Sequence, residues 1–198
     1  PHVVAEMTAL TRELSIGIDR PLGVNVLRND AAAALSVAAA AAGSFVRVNL
    51  HAGAQVADQG ILQGQAHETM RLRERIDADV AVFADLAVKH ATDLGERDVG
   101  ALAVDTVDRG LADGLVVTGE ATSDAADLDD LVAVLDARDD YGLDVPVFVG
   151  SGVTPETVDD VLELADGAIV GTALKRDGET TAPVDETRVQ ALVEAARG

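Results

Sequence analysis

Two glycine-rich segments near the end of the chain have a pattern that suits anion binding. One is FVGSGV at residues 148–153, and the other is AIVGT at residues 168–172. Each is an apolar, strand-like run closed by small residues, where backbone N–H groups can approach an anion with no Cβ atom in the way. The pair predicts a phosphate site built from Gly150, Ser151, Gly152, Gly171 and Thr172. The alternative is a purely structural role for both turns, the first of them opening a helix at Pro155.

A second set of side chains suits proton transfer. Asp85 ends an apolar run, so burial would raise the pKa of its carboxyl group unless Lys89, four residues on, pairs with it. Lys89 is one of two lysines among 15 basic residues, and an ammonium group can bind phosphate or act as a base. Imidazoles titrate near neutral pH. The predicted proton-transfer set is Lys89, Asp85, His51, His90 and Asp58.

Each of these residues also has a structural alternative. Asp85 and Lys89 would form a buried ion pair that only orients a loop, and His51 and His90 would be satisfied structural histidines. Two histidines with Asp85 or Asp58 also suit a divalent metal, but no His-x-x-x-His spacing supports one. We therefore predict no metal and no cofactor.

The remaining candidates for substrate binding follow other strand-like runs, where polar residues at the carboxyl ends of parallel strands converge. Asp30 lies among them, but its position before an alanine-rich helix favours an N-cap role. The additional binding residues predicted on this basis are Thr118, Gly119, Asn25, Arg28 and Asn49.

Short apolar runs alternate with helical patterns along the chain. Strands are predicted at 22–27, 45–50, 80–86, 114–118, 145–149 and 168–170. Helices are predicted at 3–16, 30–42, 64–76, 97–110, 128–138, 155–164 and 186–196. This alternation, with strands that are apolar on both faces, is typical of an α/β fold with a buried parallel sheet.

The number of strands bears on the architecture. A TIM (β/α)8-type barrel has eight strands, and this chain shows six. We expect a single barrel domain over residues 1–198 that holds the last six β/α units and lacks the first two strands. In such barrels a phosphate commonly binds beside the loops after strands 7 and 8, where both glycine-rich segments would lie.

Composition limits the classes of partner. The net charge is −20, from 35 acidic and 15 basic residues, which argues against nucleic acid. Abundant Asp and Ala, with arginine favoured over lysine, are typical of a halophilic archaeal cytoplasm. There is no cysteine and no apolar run long enough to span a membrane. We expect a cytoplasmic protein whose partner is a phosphorylated small molecule, with a homo-oligomer left open.

Several blocks of the sequence resemble the BtpA family. They are PLGVNVLRND at 21–30, VRVNLHAGA at 46–54, DQG at 58–60, DLAVKHA at 85–91, RGLAD at 109–113, TG at 118–119, GSGVT at 150–154 and GTALK at 171–175. The resemblance implies a phosphoribosylanthranilate-isomerase-like barrel whose N-terminal part supplies the first two strands. It implies no particular reaction, because the family is named for a role in photosystem I biogenesis.

Two functional hypotheses follow from the sequence. The first is an enzyme that acts on a sugar phosphate or nucleoside phosphate by isomerase, lyase or transferase chemistry. The second is a noncatalytic BtpA-like assembly or binding factor that acts through a protein partner. A halophilic scaffold whose site has decayed is a third reading, which the retention of both lysines disfavours.

Overall fold

Parallel strands form the main sheet of the computed structural model, which describes residues 1–57, 60–86, 92–93, 98–118 and 125–198. The strands of the described residues are Gly23–Val24 (β1), Phe45–Val48 (β2), Ala54–Ala57 (β3), Gly60–Gln63 (β4), Ala81–Asp85 (β5), Thr92–Asp93 (β6), Gly114–Thr118 (β7), Val147–Gly150 (β8) and Gly167–Ile169 (β9). The main sheet has the order β1-β2-β5-β7-β8-β9, with every neighbouring pair parallel. The predicted α/β fold with a parallel sheet is confirmed.

Helices separate the strands of the main sheet. They are His2–Gly17 (α1), Ala31–Ala41 (α2), Ala66–Arg75 (α3), Val99–Val104 (α4), Ala125–Tyr141 (α5), Val158–Leu162 (α6) and Glu186–Ala195 (α7). Asp30 caps α2 as predicted, because its side chain accepts a hydrogen bond from the Ala33 N–H at 2.9 Å. The single helix predicted over 97–110 is instead α4 followed by a π-helical turn, Asp105–Arg109.

The hydrophobic core lies between the sheet and the helices. On the β1, β2 and β5 side, Val46 and Val82 pack against Leu35 and Val37 of α2, and all four are fully buried. Small alanine side chains let α2 lie close to the strands. A second cluster joins β7 and β8 to α4, α5 and α6.

The opposite face of the sheet carries three phenylalanine rings. Phe45 and Phe83 lie with ring centroids 4.9 Å apart, and Phe83 and Phe148 lie 5.2 Å apart. The residues paired beside the rings are glycines, and a Cβ atom at Gly114 or Gly167 would come within 2.8 Å of the Phe83 or Phe148 ring. This face therefore depends on the absence of a side chain beside each ring.

The amino ends of the strands show a repeated hydrogen-bonding arrangement. Asp113 precedes β7, and its Oδ2 accepts hydrogen bonds from the Val82 N–H at 2.8 Å and from Arg73 Nη1. Asp166 precedes β9, and its Oδ2 accepts from the first N–H of β8 at 2.8 Å and from Arg138 Nη1 at 2.9 Å. The sequences LADGLVV at 111–117 and LADGAIV at 164–170 produce the same local structure twice.

A small antiparallel sheet of order β4-β3-β6 is not predicted by the sequence analysis. Its β3–β4 pairing runs from Ala54 opposite Gln63 to Ala57 opposite Gly60. Strands β3 and β4 follow β2 in the chain, and β6 follows β5, so the small sheet joins two segments that come after strands of the main sheet. It stays a prediction that this chain lacks the first two strands of a closed eight-stranded barrel.

Candidate functional site

A cavity of about 1120 Å³ opens at the carboxyl ends of the parallel strands. The strands supply its polar lining, and the loops after β8 and β9 and helix α7 supply the remainder. The lining residues on which the site depends are Arg47, Asn49, Asp85, Thr118, Ser151, Gly152, Gly171, Thr172 and Arg188.

An ion pair between Arg47 and Asp85 lies on the strand side of the cavity. Arg47 Nε donates to Asp85 Oδ1 at 2.7 Å, and Arg47 Nη2 donates to Asp85 Oδ2 at 3.0 Å. The pair is bidentate, which fixes the orientation of the carboxylate as well as its charge. The sequence offers Lys89 as a possible partner of Asp85, and Lys89 lies outside the described residues. Among the described residues the ionic partner is Arg47.

Neighbouring amide and hydroxyl groups extend this ion pair across four strands. Asn49 Nδ2 donates to Asp85 Oδ2 at 3.0 Å, and Asn25 Nδ2 donates to Asn49 Oδ1 at 3.3 Å. Arg47 Nη2 also lies 3.4 Å from Thr118 Oγ1. The carboxylate of Asp85 thus accepts three N–H groups from the described residues, and only one of them binds Oδ1.

Burial changes the acidity of the Asp85 carboxyl group. The residue is only 6% exposed. Burial raises the pKa of Asp85 above its ordinary value, and this effect outweighs the Arg47 guanidinium and the Asn49 amide, which favour the ionised form. A carboxylate with a raised pKa is a stronger base than an exposed one.

The loop after β8 brings backbone groups to the cavity. Ser151 has φ 75° and Gly152 has φ 72°, so two consecutive residues are in the left-handed region. The N–H of Gly152 has no hydrogen-bond acceptor among the described residues. Gly150 does not line the cavity, but a Cβ atom there would lie 3.1 Å from Val116 and 3.5 Å from Arg47 Nη2. Gly150 therefore leaves room for the arginine.

The loop after β9 contributes a second group of free donors. The N–H groups of Gly171 and Thr172 have no acceptor within the described parts of the chain. A Cβ atom at Gly171 would meet nothing within 4 Å, so packing does not require glycine there. Thr172 Oγ1 lies 3.3 Å from Thr180 Oγ1, which also lines the cavity.

The structure does not bring His51 to the cavity. Its side chain is 1% exposed, and Nε2 lies 2.8 Å from the carbonyl oxygen of Gly110. Because a carbonyl only accepts, Nε2 carries the hydrogen, and the buried Nδ1 has no partner among the described residues. Burial lowers the pKa of His51 below its ordinary value. These contacts are those of a neutral histidine that fixes the loop after β2.

Other predicted site residues lie elsewhere or are not described. Asn25 touches the site through Asn49, and Arg28 is exposed and does not line the cavity. The predicted residues that lie outside the described residues are Lys89, His90, Asp58 and Gly119.

Two arginines of the cavity are missed by the sequence analysis. Arg47 lies inside the predicted strand 45–50, and alternation places it on the same face as Asn49. That alternation is a signal that the sequence contains. Arg188 lies in the first turn of α7, and no pattern in the sequence connects it with the strand ends.

Neither a metal-binding cluster nor a membrane-spanning helix occurs among the described residues. These residues contain no group of three or more His, Cys, Asp or Glu side chains arranged to hold a metal ion. None of the helices among them has the length and apolar character needed to cross a membrane.

Comparison with known sequences identifies the family. The sequence model of the BtpA family matches residues 1–198. The chain belongs to the BtpA family. It is 40% identical over 195 residues to the Photosystem I biogenesis protein BtpA of Synechocystis sp., an alignment that covers 98% of this chain and 67% of that protein. It is 43% identical over 194 residues to a protein of Thermococcus kodakarensis, covering 98% of this chain and 72% of that protein.

Solved structures with low sequence identity share the fold of this BtpA family member. N-(5'-phosphoribosyl)anthranilate isomerase from Pyrococcus furiosus matches with a TM-score of 0.64 at 13% identity, covering 96% of this chain and 80% of that chain. 3-Hexulose-6-phosphate synthase matches with a TM-score of 0.60 at 18% identity and the same coverage of both chains. The main sheet and its helices therefore form a half-barrel of the kind found in these barrel enzymes.

Proposed function

We propose that this chain binds a sugar phosphate or nucleoside phosphate in the cavity and transfers a proton on the bound ligand, in an isomerase, lyase or transferase reaction. The observation that carries the proposal is Asp85, a buried carboxylate whose Oδ1 accepts a single N–H group from the described residues. The same cavity is lined by residues whose backbone N–H groups have no acceptor in the described part of the chain. A base and an anion site in one cavity are the two parts that such chemistry needs.

The phosphate would be bound by the loops after β8 and β9. Support comes from the N–H groups of Gly152, Gly171 and Thr172, which have no acceptor among the described residues and belong to residues that line the cavity. Ser151 and the Thr172 hydroxyl add polar groups at the same rim. Gly119 stays part of the proposed site from its position after β7.

Asp85 would act as the general base, and Arg47 would hold its carboxylate in position. When a ligand hydroxyl or acidic C–H group reaches Oδ1, the carboxylate accepts the proton and Arg47 retains its contact with Oδ2. Lys89, His90 and Asp58 remain proposed members of the proton-transfer set. His51 is proposed only as a residue that supports the loop following Asn49.

The first experiment looks for the ligand by thermal shift. A panel of phosphorylated sugars and nucleotides is compared with the unphosphorylated compounds in high salt, because a ligand that binds only the native state raises the unfolding temperature. We expect a shift with one phosphorylated class and none with its unphosphorylated counterpart. Equal shifts for ribose and ribose 5-phosphate, or none with any compound, would contradict the phosphate site.

The second experiment tests Asp85 and does not require the reaction product to be identified. In D2O, proton transfer to and from a bound ligand introduces deuterium, which proton NMR detects. Asp85→Asn should lower the exchange rate about 10²–10⁴-fold while phosphate-dependent binding persists. The matched control is Asp79→Asn, an exposed residue at the other end of β5. Unchanged exchange in Asp85→Asn would remove the carboxylate from the mechanism.

A second candidate function is a noncatalytic assembly factor. It is favoured by the name of the Synechocystis relative and by exposed apolar side chains on α1, among them Leu10 at 60% and Leu14 at 48% exposure. On this hypothesis neither thermal shifts nor deuterium exchange would depend on the cavity, and Leu10→Asp would weaken a protein complex instead.

A further inference from the structure

Arg188 faces the cavity without an ionic partner in the part of the chain that the structure describes. Arg47, the other arginine of the lining, is neutralised by Asp85. In a chain of net charge −20 with only 15 basic residues, acidic partners are abundant. The guanidinium of Arg188, which is partly exposed, is therefore available to an anionic ligand in the cavity.

The backbone fixes the position of the Arg188 side chain. Asp185 caps α7 and accepts hydrogen bonds from the N–H groups of Thr187 and Arg188. Arg188 Nε then donates to the carbonyl oxygen of Ala173 at 2.8 Å, which ties the guanidinium to the loop after β9. The two terminal nitrogens make no hydrogen bond to the described residues. They are held near the cavity with their donors unused.

The groups around this guanidinium suit an anion. The hydroxyls of Thr172 and Thr180 and the free N–H groups of Gly171 and Thr172 line the same cavity. Glu156 also lines the cavity and interacts electrostatically with Arg188, but the two are not among the close ion pairs of the described residues. The pKa of Glu156 lies below its ordinary value chiefly because of its hydrogen bond with Thr154, and Arg188 contributes least.

We propose that Arg188 binds the anionic group of the ligand and selects ligands that carry a dianion. The inference rests on the proposed function, because it assumes that this cavity holds the ligand. Two free nitrogens in one plane match two oxygens of a phosphate, so the side chain adds charge and direction to the backbone donors.

The test uses inorganic phosphate and the full chain, with malonate as the carboxylate dianion. Binding is followed by titration at constant ionic strength, through 31P NMR for phosphate and proton NMR for malonate. Arg188→Gln should weaken phosphate binding at least about tenfold, the usual effect of losing a charged hydrogen-bond donor. Arg188→Lys should fall between Arg188→Gln and the wild type, because an ammonium retains charge but not the paired donors. Arg197→Gln, an exposed arginine outside the cavity, controls for net charge.

A second pair of variants leaves Arg188 and its contact with Ala173 intact. Ala191 lies three residues further along α7, is exposed and lines the cavity, so its side chain shares the face of Arg188. Ala191→Glu places a carboxylate near the guanidinium and should weaken phosphate binding, whereas Ala191→Gln should not. If circular dichroism shows that Arg188→Gln is unfolded, the two Ala191 variants test whether Arg188 binds the anion.

The outcomes separate this inference from the proposed function. Loss of phosphate binding in Arg188→Gln and Ala191→Glu, with both controls unaffected, supports it. If the wild type binds malonate through Arg188 but does not bind phosphate, Arg188 is still an anion-binding residue. The phosphate part of the proposed function is then overturned. Phosphate binding at wild-type strength in Arg188→Gln and Ala191→Glu overturns the inference and leaves the proposed function intact. If the wild type binds neither phosphate nor malonate, both the inference and the proposed function are overturned.

Discussion

The Arg47–Asp85 pair fixes one geometry at the strand ends. Removing two charges from water is expensive, and a buried ion pair seldom repays that desolvation in stability. Asp85 nevertheless receives a bidentate arginine and an amide donor, and its burial is nearly complete. Asp85→Asn leaves the guanidinium of Arg47 without its counter-charge, but Arg47 is 26% exposed and stays partly solvated. The fold of this variant is therefore checked by circular dichroism before its exchange rate is compared with that of the wild type.

His51 makes the stability of the fold depend on pH. Its pKa is lowered by burial, so the unfolded chain binds a proton near pH 6.5 that the native chain does not bind. The free energy of unfolding should therefore fall as the pH drops below about 6.5, by up to about 1.4 kcal/mol per pH unit. Urea unfolding of the wild type and His51→Gln, measured between about pH 5 and 8, checks this expectation.

The control for this dependence is His67→Gln. His67 lies on α3 with an exposed side chain, and its only charged contact among the described residues is Glu68 at 3.7 Å. The difference in unfolding free energy between the wild type and His67→Gln should not change with pH in this way. If the unfolding free energies of the wild type and His51→Gln depend on pH in the same way, His51 is protonated in the native state as in the unfolded chain. The assignment of His51 as a buried neutral ring would then be wrong.

At the level of residues, the sequence predicts where a side chain lies along a strand better than it predicts which side chain it contacts. Asp85 is predicted at a buried strand end, and the structure places it there, because apolar runs and strand ends are local properties. Its contact with Arg47 is not predicted, because Arg47 reaches it through the pairing of β2 with β5, 38 residues apart. Arg188 is missed for the same reason, since its place in the cavity depends on how α7 packs.

At the level of elements, the aspartates before β7 and β9 stabilise the amino ends of the sheet. Asp166→Ala would leave the buried N–H of Val147 without an acceptor, which should cost about 1–3 kcal/mol. Arg138→Gln removes only the partly exposed ion pair and should cost about 0–1 kcal/mol. Urea unfolding of both variants gives the comparison.

A matching pair of variants exists at the other copy of this arrangement. Asp113→Ala and Arg73→Gln should show the same order of effects, because Asp113 accepts the Val82 N–H as Asp166 accepts that of Val147. Equal losses for the aspartate and arginine variants at both sites would mean that the ion pairs, and not the backbone hydrogen bonds, stabilise the strand ends.

The elements of the main sheet follow from local patterns, and those of the small sheet do not. Apolar runs such as 145–149 identify buried strands, and capping residues such as Asp30 mark helix starts. Strand β3, with the sequence AQVA, has neither a long apolar run nor strong β propensity. Its structure comes from pairing with β4 and β6, which single-sequence periodicity does not detect.

At the level of the whole molecule, the charge of −20 predicts that salt stabilises the fold. The Debye length falls from about 10 Å at 0.1 M to about 3 Å at 1 M salt, so self-repulsion is screened. Thermal unfolding in 0.1 and 2 M KCl should differ by more than the roughly 2–4 °C that 1 kcal/mol represents at this size.

The sequence pI of about 4.3 provides a control for the salt effect. Near that pH the net charge is small, so the same change in KCl should raise the unfolding temperature less than at neutral pH. An equal rise at both pH values would mean that salt acts through apolar burial and not through charge.

The glycines beside the phenylalanine rings also protect the sheet against misalignment. Its strands are short and rich in apolar residues, and sliding one strand by two residues would keep the same face toward the helices. A two-residue slide of β9 along β8 would replace Gly167 by Ile169 beside Phe148, and a slide of β7 along β5 would set Val116 beside Phe83. Both would force branched side chains into space that a ring already fills. The paired phenylalanines and glycines thus favour the native strand register over these two alternatives during folding.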